Sequence, residues 1–538
     1  IEMLKMRLPL ILPAELVHSL SINGRFMTSA YRRKVALLCT YVSYRIGHKV
    51  FNEMTGRDDF GCPIPLQTYV SDFIDEGQAI RHGKQDLAQQ ILLQHGFDLD
   101  VHYIKDEAIP DGWINKADMM VEITGNDPLP ILIEDWDKER PGLEPPDEII
   151  DSSDEETGKC AEKEYAKKLY SDPDTKKFVP VKKRRRTRIQ ISAEEIEEIC
   201  NGYVDWYNGL GQEDFCKILH KWIIEKSSDN IVYIMIDAVY VTEQSGKHIK
   251  GGKPEMKVKK ERIHHWNIAV EVDGIRYALT AVERVEVYQQ LFAFLLENNL
   301  MGRYFVFMID GETKIFDDIE KYFKPFGAYT IMLDWYHVEE KVIQKLSSAL
   351  IHQMVPDPRA EEGKKKNTAL SNLYARKLLS ILWVGNVDEG RAYCKNIDPK
   401  LIKNQDAMDE LDTYFENKGK YMPCYALRRR AGLRNSSNGS ENVNDVIVAR
   451  RQKDDNQAWR ENGSSSASNT SCLFYNGEDE LWFSKGKLTF DIQYKKQKDM
   501  KNQARQAPAE WTLSGFSCSI FVFGSLLSVL SFASDTGR

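Results

Sequence analysis

The chain has 538 residues, of which 42% are hydrophobic and 29% charged, which suffices for two or three ordinary cores and excludes a disordered protein. Lys and Arg number 73 against 81 Asp and Glu, a formal net charge of −8. The chain is therefore not basic overall, and any nucleic-acid partner must be held by local patches. The nine cysteines, at Cys39, Cys62, Cys160, Cys200, Cys216, Cys394, Cys424, Cys472 and Cys518, form no CxxC pair. That argues against a zinc ribbon or a disulfide framework and fits a reducing compartment. No signal peptide is read at the start, because the apolar run at residues 8–12 is broken by Pro9 and followed by Pro13. The chain opens on Ile1, so further N-terminal sequence is expected to precede it.

Residues 14–95 read as helical, with apolar positions at three-and-four spacing in Val35, Leu38 and Val42 and again in Leu87, Ile91 and Leu92. They define a mainly helical N-terminal domain over residues 1–133. A DNA-reading helix pair between Pro65 and Gly96 and a plain helical packing domain both account for this pattern. Residues 134–156 are dense in Asp, Glu, Pro and Ser and read as the start of a linker that runs to residue 190. Its basic end, KKRRRTR, contains Lys182, Lys183, Arg184, Arg185 and Arg186. Such a run tracks phosphates, serves as a nuclear address, or is simply a solvated charge run. Ser192 and Glu195 then have the spacing of a capping box, opening a helix to about Asn208.

The period now changes. Residues 230–240 (NIVYIMIDAVY) are a continuous apolar run rich in β-branched and aromatic residues, as expected of a strand buried on both faces. Two more strands, at 264–272 and 275–281, are joined by Asp273-Gly274, the dipeptide of a two-residue hairpin. A helix over 285–298, a strand over 303–309, a helix over 314–323 and a strand over 329–333 follow, with a helix from Tyr336. The order β, β-hairpin, α, β, α, β, α defines an α/β domain over 191–470, with a five-stranded mixed sheet and a helical insertion at about 350–434. Another amphipathic helix starts near Glu441, and residues 471–538 form a tail.

Three carboxylates stand where buried strands stop: Asp237, Asp310 and Asp334. If the first and fourth strands are parallel neighbours, Asp237 and Asp310 converge on one sheet edge. Two aspartates there repel each other unless a cation lies between them, and Mg²⁺ or Mn²⁺ prefers such oxygen ligands. This predicts phosphoryl transfer with two ions roughly 4 Å apart. Each aspartate alone also has a plainer reading, Asp310 as a turn residue before Gly311 and Asp334 as the cap of the next helix.

The stretches IDAVYV around Asp237, IDGETKIF around Asp310, IMLDWYHVEEKV around Asp334, and residues 435–464 resemble the DDE transposases of bacterial insertion sequences, in the RNase H-like superfamily, with mutator-like relatives. In the last stretch Gly439, Ser440, Glu441, Arg450, Arg451, Lys453, Trp459 and Gly463 carry the likeness, and Arg450, Arg451 and Lys453 are expected to face DNA. The resemblance implies an RNase H-like catalytic domain in which Asp237, Asp310 and Glu441 hold two Mg²⁺ or Mn²⁺ ions. His337, in the D-x-x-H at residues 334–337, would act as a local helper, although a structural His fits equally. It implies DNA transposition: double-stranded DNA at the element ends and target as partner, a homo-oligomer on that DNA, no membrane role, and a cytoplasmic, nucleoid-associated location, nuclear in a eukaryote. Two alternatives stand beside it, a transposase-derived DNA-binding protein without catalysis and a structure-selective nuclease on the same fold.

Asp334 is the rival to Asp310 as second acid. Val443, Val446 and Ile447 lie on one helix face with Glu441 nearly opposite. If that stripe packs on the sheet, Glu441 reaches the cleft only from the helix start, and Asp445 competes with it. The Ser-rich stretch after Trp459 has fewer apolar residues than the close of a catalytic domain needs, which fits a decayed copy. Local basic density at residues 247–260, with Lys257, Lys259 and Lys260, and at 428–434, ending in Arg434, would neutralise phosphates or form solvated loops. Trp266, Trp335 and Trp459 are either core residues or stacking platforms for an unpaired base. The apolar run at 516–532 reads as a tail anchor, a buried strand pair, or sequence beyond a decayed frame.

Overall fold

The computed structural model describes residues 21–22, 25–56, 63–115, 120–124, 191–200, 221–225, 231–244, 262–357, 367–430, 433–453 and 458–506. The linker 134–190, with Lys182, Lys183, Arg184, Arg185 and Arg186, the loop lysines Lys257, Lys259 and Lys260, and the run 516–532 lie outside these residues.

Strands β1 (Ile231–Thr242), β2 (Arg262–Val272), β3 (Ile275–Ala281), β4 (Tyr304–Ile309) and β5 (Tyr329–Leu333) form one mixed sheet in the order β3-β2-β1-β4-β5. The first three pair antiparallel, and β4 and β5 add in parallel. All six residues of β4 are buried, which is why this strand has no polar alternation in sequence. Between β2 and β3, Asp273 and Gly274 both adopt positive φ, +51° and +74°, the geometry of a type I′ hairpin turn.

Helices α4 (Arg284–Glu297) and α5 (Thr313–Phe323) cover one sheet face, where Tyr277 packs on Phe294 and Phe307 on Phe323 at centroid separations of 4.8 and 4.7 Å. The other face is covered by α9 (Asn438–Asn444), its π-helical continuation Asp445–Ala449, and α10 (Glu461–Tyr475). Between these come α6 (Trp335–Ala349) and the helical insertion, chiefly α7 (Leu370–Trp383) and α8 (Gln405–Lys418). The insertion is anchored at the end of β5: Tyr425 Oη donates to the Leu333 carbonyl at 3.0 Å, and Trp335 packs against Trp383 and Tyr425. Upstream, Ser192 and Glu195 exchange reciprocal hydrogen bonds of 2.6 and 3.1 Å, the capping box of the helix Ala193–Cys200.

The N-terminal helices differ from expectation. The stretch between Pro65 and Gly96 is not a helix pair but one helix, α3 (Leu66–His95), 30 residues long, ended by Gly96 at φ +86°. With no turn inside it, the first half cannot be angled against the second, so a helix-turn-helix reader is excluded there. Helices α1 (Ser29–Tyr41), α2 (Tyr44–Met54) and α3 share one hydrophobic core with the sheet and belong to one compact unit that runs to Ile492. Buried Lys84 on α3 donates to Glu478 at 2.9 Å and to the Tyr277 hydroxyl of β3 at 2.8 Å. Removing one partner of such a pair would cost about 3–5 kcal/mol. Residues 493–538 form a second unit, whose described part lies in the helix Ile492–Gln506. Among the described residues, no helix is long and apolar enough to cross a membrane, and Cys39, Cys394, Cys424 and Cys472 are buried.

The Ser-rich stretch is well buried rather than loosely packed. Every residue of α10 from Gly463 to Leu473 is buried. Small side chains let α10 approach α3 closely enough that a Cβ added at Gly77 would stand 2.5 Å from Ser466 Cα. The sequence reading missed this because burial there comes from backbone proximity rather than apolar bulk. Gly77→Ala should therefore destabilise the chain by about 2 kcal/mol or more, seen as a lower urea midpoint, while Gly112→Ala, which meets nothing within 4 Å, should leave it nearly unchanged.

Candidate active site

The strand register places the two leading acids. In the parallel β1/β4 pair Ile236 lies opposite Ile309, so the following residues, Asp237 and Asp310, stand side by side. β1 continues beyond Asp237 to Thr242 along β2, whereas β4 stops and turns through Gly311, φ +100°, into α5. Asp310 Oδ1 accepts the Glu312 N–H at 3.0 Å, which fixes the turn and leaves its second oxygen without a backbone donor in that turn. Asp237 Oδ1 accepts the Ala238 N–H at 2.7 Å, and Oδ2 accepts the Asn444 amide at 2.5 Å. Burial and the adjacent Asp310 carboxylate push Asp237 up to about 6, with Ala238, His337 and Asn444 pulling the other way.

Asp334 has a different place. It is fully buried and caps α6 by accepting the Tyr336 N–H at 2.8 Å. Its other oxygen accepts the Ser437 N–H at 2.9 Å and the Ser437 hydroxyl. Both oxygens are thus engaged in joining the end of β5 to the segment that leads into α9. Burial raises its pKa, and the Ser437 hydroxyl opposes that rise.

Glu441 lies one helical turn before Asn444 and is half-buried. Burial raises its pKa, as does the charge of Asp334, while His337 lowers it. His337 therefore bears on both Asp237 and Glu441, and its Nδ1 stands 3.9 Å from Glu340. The residue that α9 brings into contact with Asp237 is Asn444, because Val443 and Ile447 pack inward and carry Asn444 with them. Asp445 is exposed and paired with Arg450 at 2.9 Å, away from that contact. Among the described residues, no three His, Cys, Asp or Glu side chains are gathered as a metal-binding group. The donors brought together are the two aspartates, hard oxygen ligands whose mutual repulsion a Mg²⁺ or Mn²⁺ ion would relieve, so this pair fits such an ion as far as it goes.

The basic residues separate. Arg451, expected to face DNA, is buried at 4% exposure. It donates to the Cys39 carbonyl at 2.9 Å, and its guanidinium packs on both Tyr44 and Trp459, 4.9 and 4.7 Å from their ring centroids. Arg434 is tied to Glu271, and Lys453 is exposed. Trp266, Trp335 and Trp459 are all buried, so they are core residues rather than stacking platforms. Beyond the end of β1 an open groove of about 1150 Å³ is lined by Arg45, Gln67, Gln244, Trp459 and Arg460; it does not include the acid pair.

Several residues near the acids escaped the sequence reading. Asn444 and Asn267 interrupt otherwise inward-facing apolar runs, and that interruption was the available signal. Tyr414 and Lys418 of α8 lie in the field of Asp310, with Lys418 held over the Phe316 ring at 3.8 Å. They are remote in sequence and carried no signal. Neither the sequence, compared with protein-family models and curated proteins, nor the fold, compared with solved structures, finds a match.

The raised Asp237 carboxyl gives a pH signature. The folded protein keeps a proton that the unfolded chain releases, so this group's contribution to stability falls as pH rises from about 4 to about 6 and is level above that. Asp237→Asn removes this dependence. Relative to the wild type, the variant should gain up to about 3 kcal/mol between pH 4 and pH 7, read as diverging denaturation midpoints. Parallel curves for the two proteins would contradict the placement of Asp237 beside Asp310.

Proposed function

We propose that the chain is a DNA transposase of the RNase H-like, DDE type. The observation that carries this reading is the pair Asp237 and Asp310, set side by side at adjacent parallel strands of a mixed sheet. The element order, with a hairpin between the first and fourth strands and a helical insertion before α9, supports it further.

The chemistry is two in-line displacements at phosphorus. Water attacks a phosphodiester at the element's end, the bond to the 3′ oxygen breaks, and a 3′-hydroxyl is released with a proton. That hydroxyl then loses its proton, attacks a target phosphodiester and displaces the target's own 3′ oxygen. Mg²⁺ or Mn²⁺ bound at the acids would supply positive charge to the reacting phosphate and lower the pKa of the nucleophile. Asp237 and Asp310 hold the site's negative pole, with Asp237 fixed by Ala238 and Asn444. His337, whose charge bears on Asp237 and Glu441, would act as the local helper that takes up the nucleophile's proton. Glu441, on α9 and within the field of His337, would complete the acid set.

One observation favours a second reading, a transposase-derived DNA-binding protein without catalysis: an amide, Asn444, occupies the contact with Asp237 while Glu441 lies nearer Asp334 and His337. The two separate in one assay on the DNA that flanks the reading frame, tested with Mg²⁺ and with Mn²⁺. The transposase reading expects metal-dependent nicking that Asp237→Asn lowers by at least about a hundredfold, with the gel shift retained. A wild-type chain that shifts this DNA but never nicks it would leave the second reading in place.

A further inference from the structure

Behind the first acid lie three polar side chains on three separate elements: Thr280 on β3, Asn267 on β2 and Asn444 at the end of α9. They are only 2%, 1% and 7% exposed. Sheet register aligns the first two with the acid, since Asn267 lies opposite both Asp237 and Thr280. Helix α9 lays Asn444 over that row. Thr280 Oγ1 donates to Asn267 Oδ1 at 2.7 Å, Asn267 Nδ2 donates to Asn444 Oδ1 at 2.8 Å, and Asn444 Nδ2 donates to Asp237 Oδ2 at 2.5 Å.

The direction of these bonds has a cause. The Asp237 carboxylate only accepts, so the Asn444 amino group must face it and the Asn444 oxygen is left for the Asn267 amino group. The Asn267 oxygen then faces Thr280, whose hydroxyl, able to donate or accept, turns to donate. Each amide would otherwise be free to flip end for end. With Ala238 N–H on the other oxygen, Asp237 is held at both oxygens, and each keeps a lone pair for a further partner. Packing alone does not require this. Apolar side chains would fill the space without the desolvation that buried polar groups bring. The backbone accommodates it as well: the π-helical stretch Asp445–Ala449 begins directly after Asn444. Ile447 and Val448, three and four residues further on, are buried on the same side of the helix as Asn444.

We infer that Thr280, Asn267 and Asn444 form a positioning relay that holds the Asp237 carboxylate in the orientation in which it shares a divalent cation with Asp310. The inference rests on the reading that the acid pair binds such a cation. It assigns to three residues outside the acid set, one of them two side chains removed from Asp237, control over the geometry of the pair.

The test uses the full chain labelled with ¹⁵N-asparagine and two readouts, solvent exchange of the side-chain amides and Mn²⁺ affinity by electron paramagnetic resonance. Asn444→Ala assigns the Asn444 signal by its loss and should weaken Mn²⁺ binding about tenfold or more. Thr280→Val keeps the side chain's shape and leaves both the acids and Asn444 in place. It should speed exchange of the Asn444 amide and weaken Mn²⁺ about three- to tenfold, the worth of one hydrogen bond. Wild-type exchange and wild-type affinity in Thr280→Val overturn the relay, even if Asn444→Ala fails to fold. Faster exchange in Thr280→Val beside a wild-type chain that binds no Mn²⁺ overturns instead the cation reading, and with it the purpose assigned to the relay.

Discussion

The parallel pairing of β1 with β4 is the constraint on which the rest of the site depends. It sets Ile236 opposite Ile309, so the next residue on each strand is a carboxylate beside a carboxylate, on a sheet covered by helices on both faces. Repulsion between such neighbours grows as water is excluded, and the raised pKa of Asp237 reflects it. A one-residue slip of β4 would separate the acids and turn its apolar side chains to the wrong faces. The buried aromatic residues Phe305 and Phe307, packed on Phe323, therefore hold the acid pair in place as much as they hold the core.

A second carboxylate network works by the opposite logic. Asp334 is more deeply buried than Asp237, but all its partners are donors: the Tyr336 N–H, the Ser437 N–H and the Ser437 hydroxyl. A carboxylate so satisfied acts as a fastening, and here it fastens the end of β5 to the lead-in of α9. The position of α9 over β1, and with it the contact of Asn444 on Asp237, follows from that fastening. Of two aspartates at neighbouring strand ends, the one facing another acid is suited to chemistry, and the one surrounded by donors is suited to structure.

Much of the fold was legible in the sequence. The five strands were marked by continuous apolar runs, the hairpin by Asp273-Gly274, and the capping box by Ser192 and Glu195, because each depends on residues close together in the chain. Of the two readings open between Pro65 and Gly96, the DNA-reading helix pair is ruled out and plain helical packing remains, since this turn-free stretch forms one long helix. The burial of the Ser-rich α10 was not legible for a different reason. Its burial is a property of the α3–α10 approach, with Gly77 against Ser466, and neither partner announces the other in sequence.

The candidate site divides along the same line. The sequence by itself singled out the acids at the buried strands, because an acid in or after an apolar run must lie at a strand end or bear a special partner; Asp310 and Asp334 do follow the last residues of β4 and β5, whereas Asp237, expected at a strand end, lies inside β1, which pairs on with β2 to Thr242. It also placed an amphipathic helix near Glu441. Only the tertiary structure decided which of these groups meet: Asp237 with Asp310 through strand register, Asp334 with Ser437 through a buried turn, and Asn444 rather than Glu441 with Asp237. It likewise decided that Arg451 serves the interior, packed on the rings of Tyr44 and Trp459. The physical reason is that local patterning specifies faces and ends, whereas the choice of partner across a covered sheet depends on the phase and seating of a helix. Contacts distant along the chain set these, among them the hydrogen bonds of Asp334 to Ser437 and of Asn267 to Asn444.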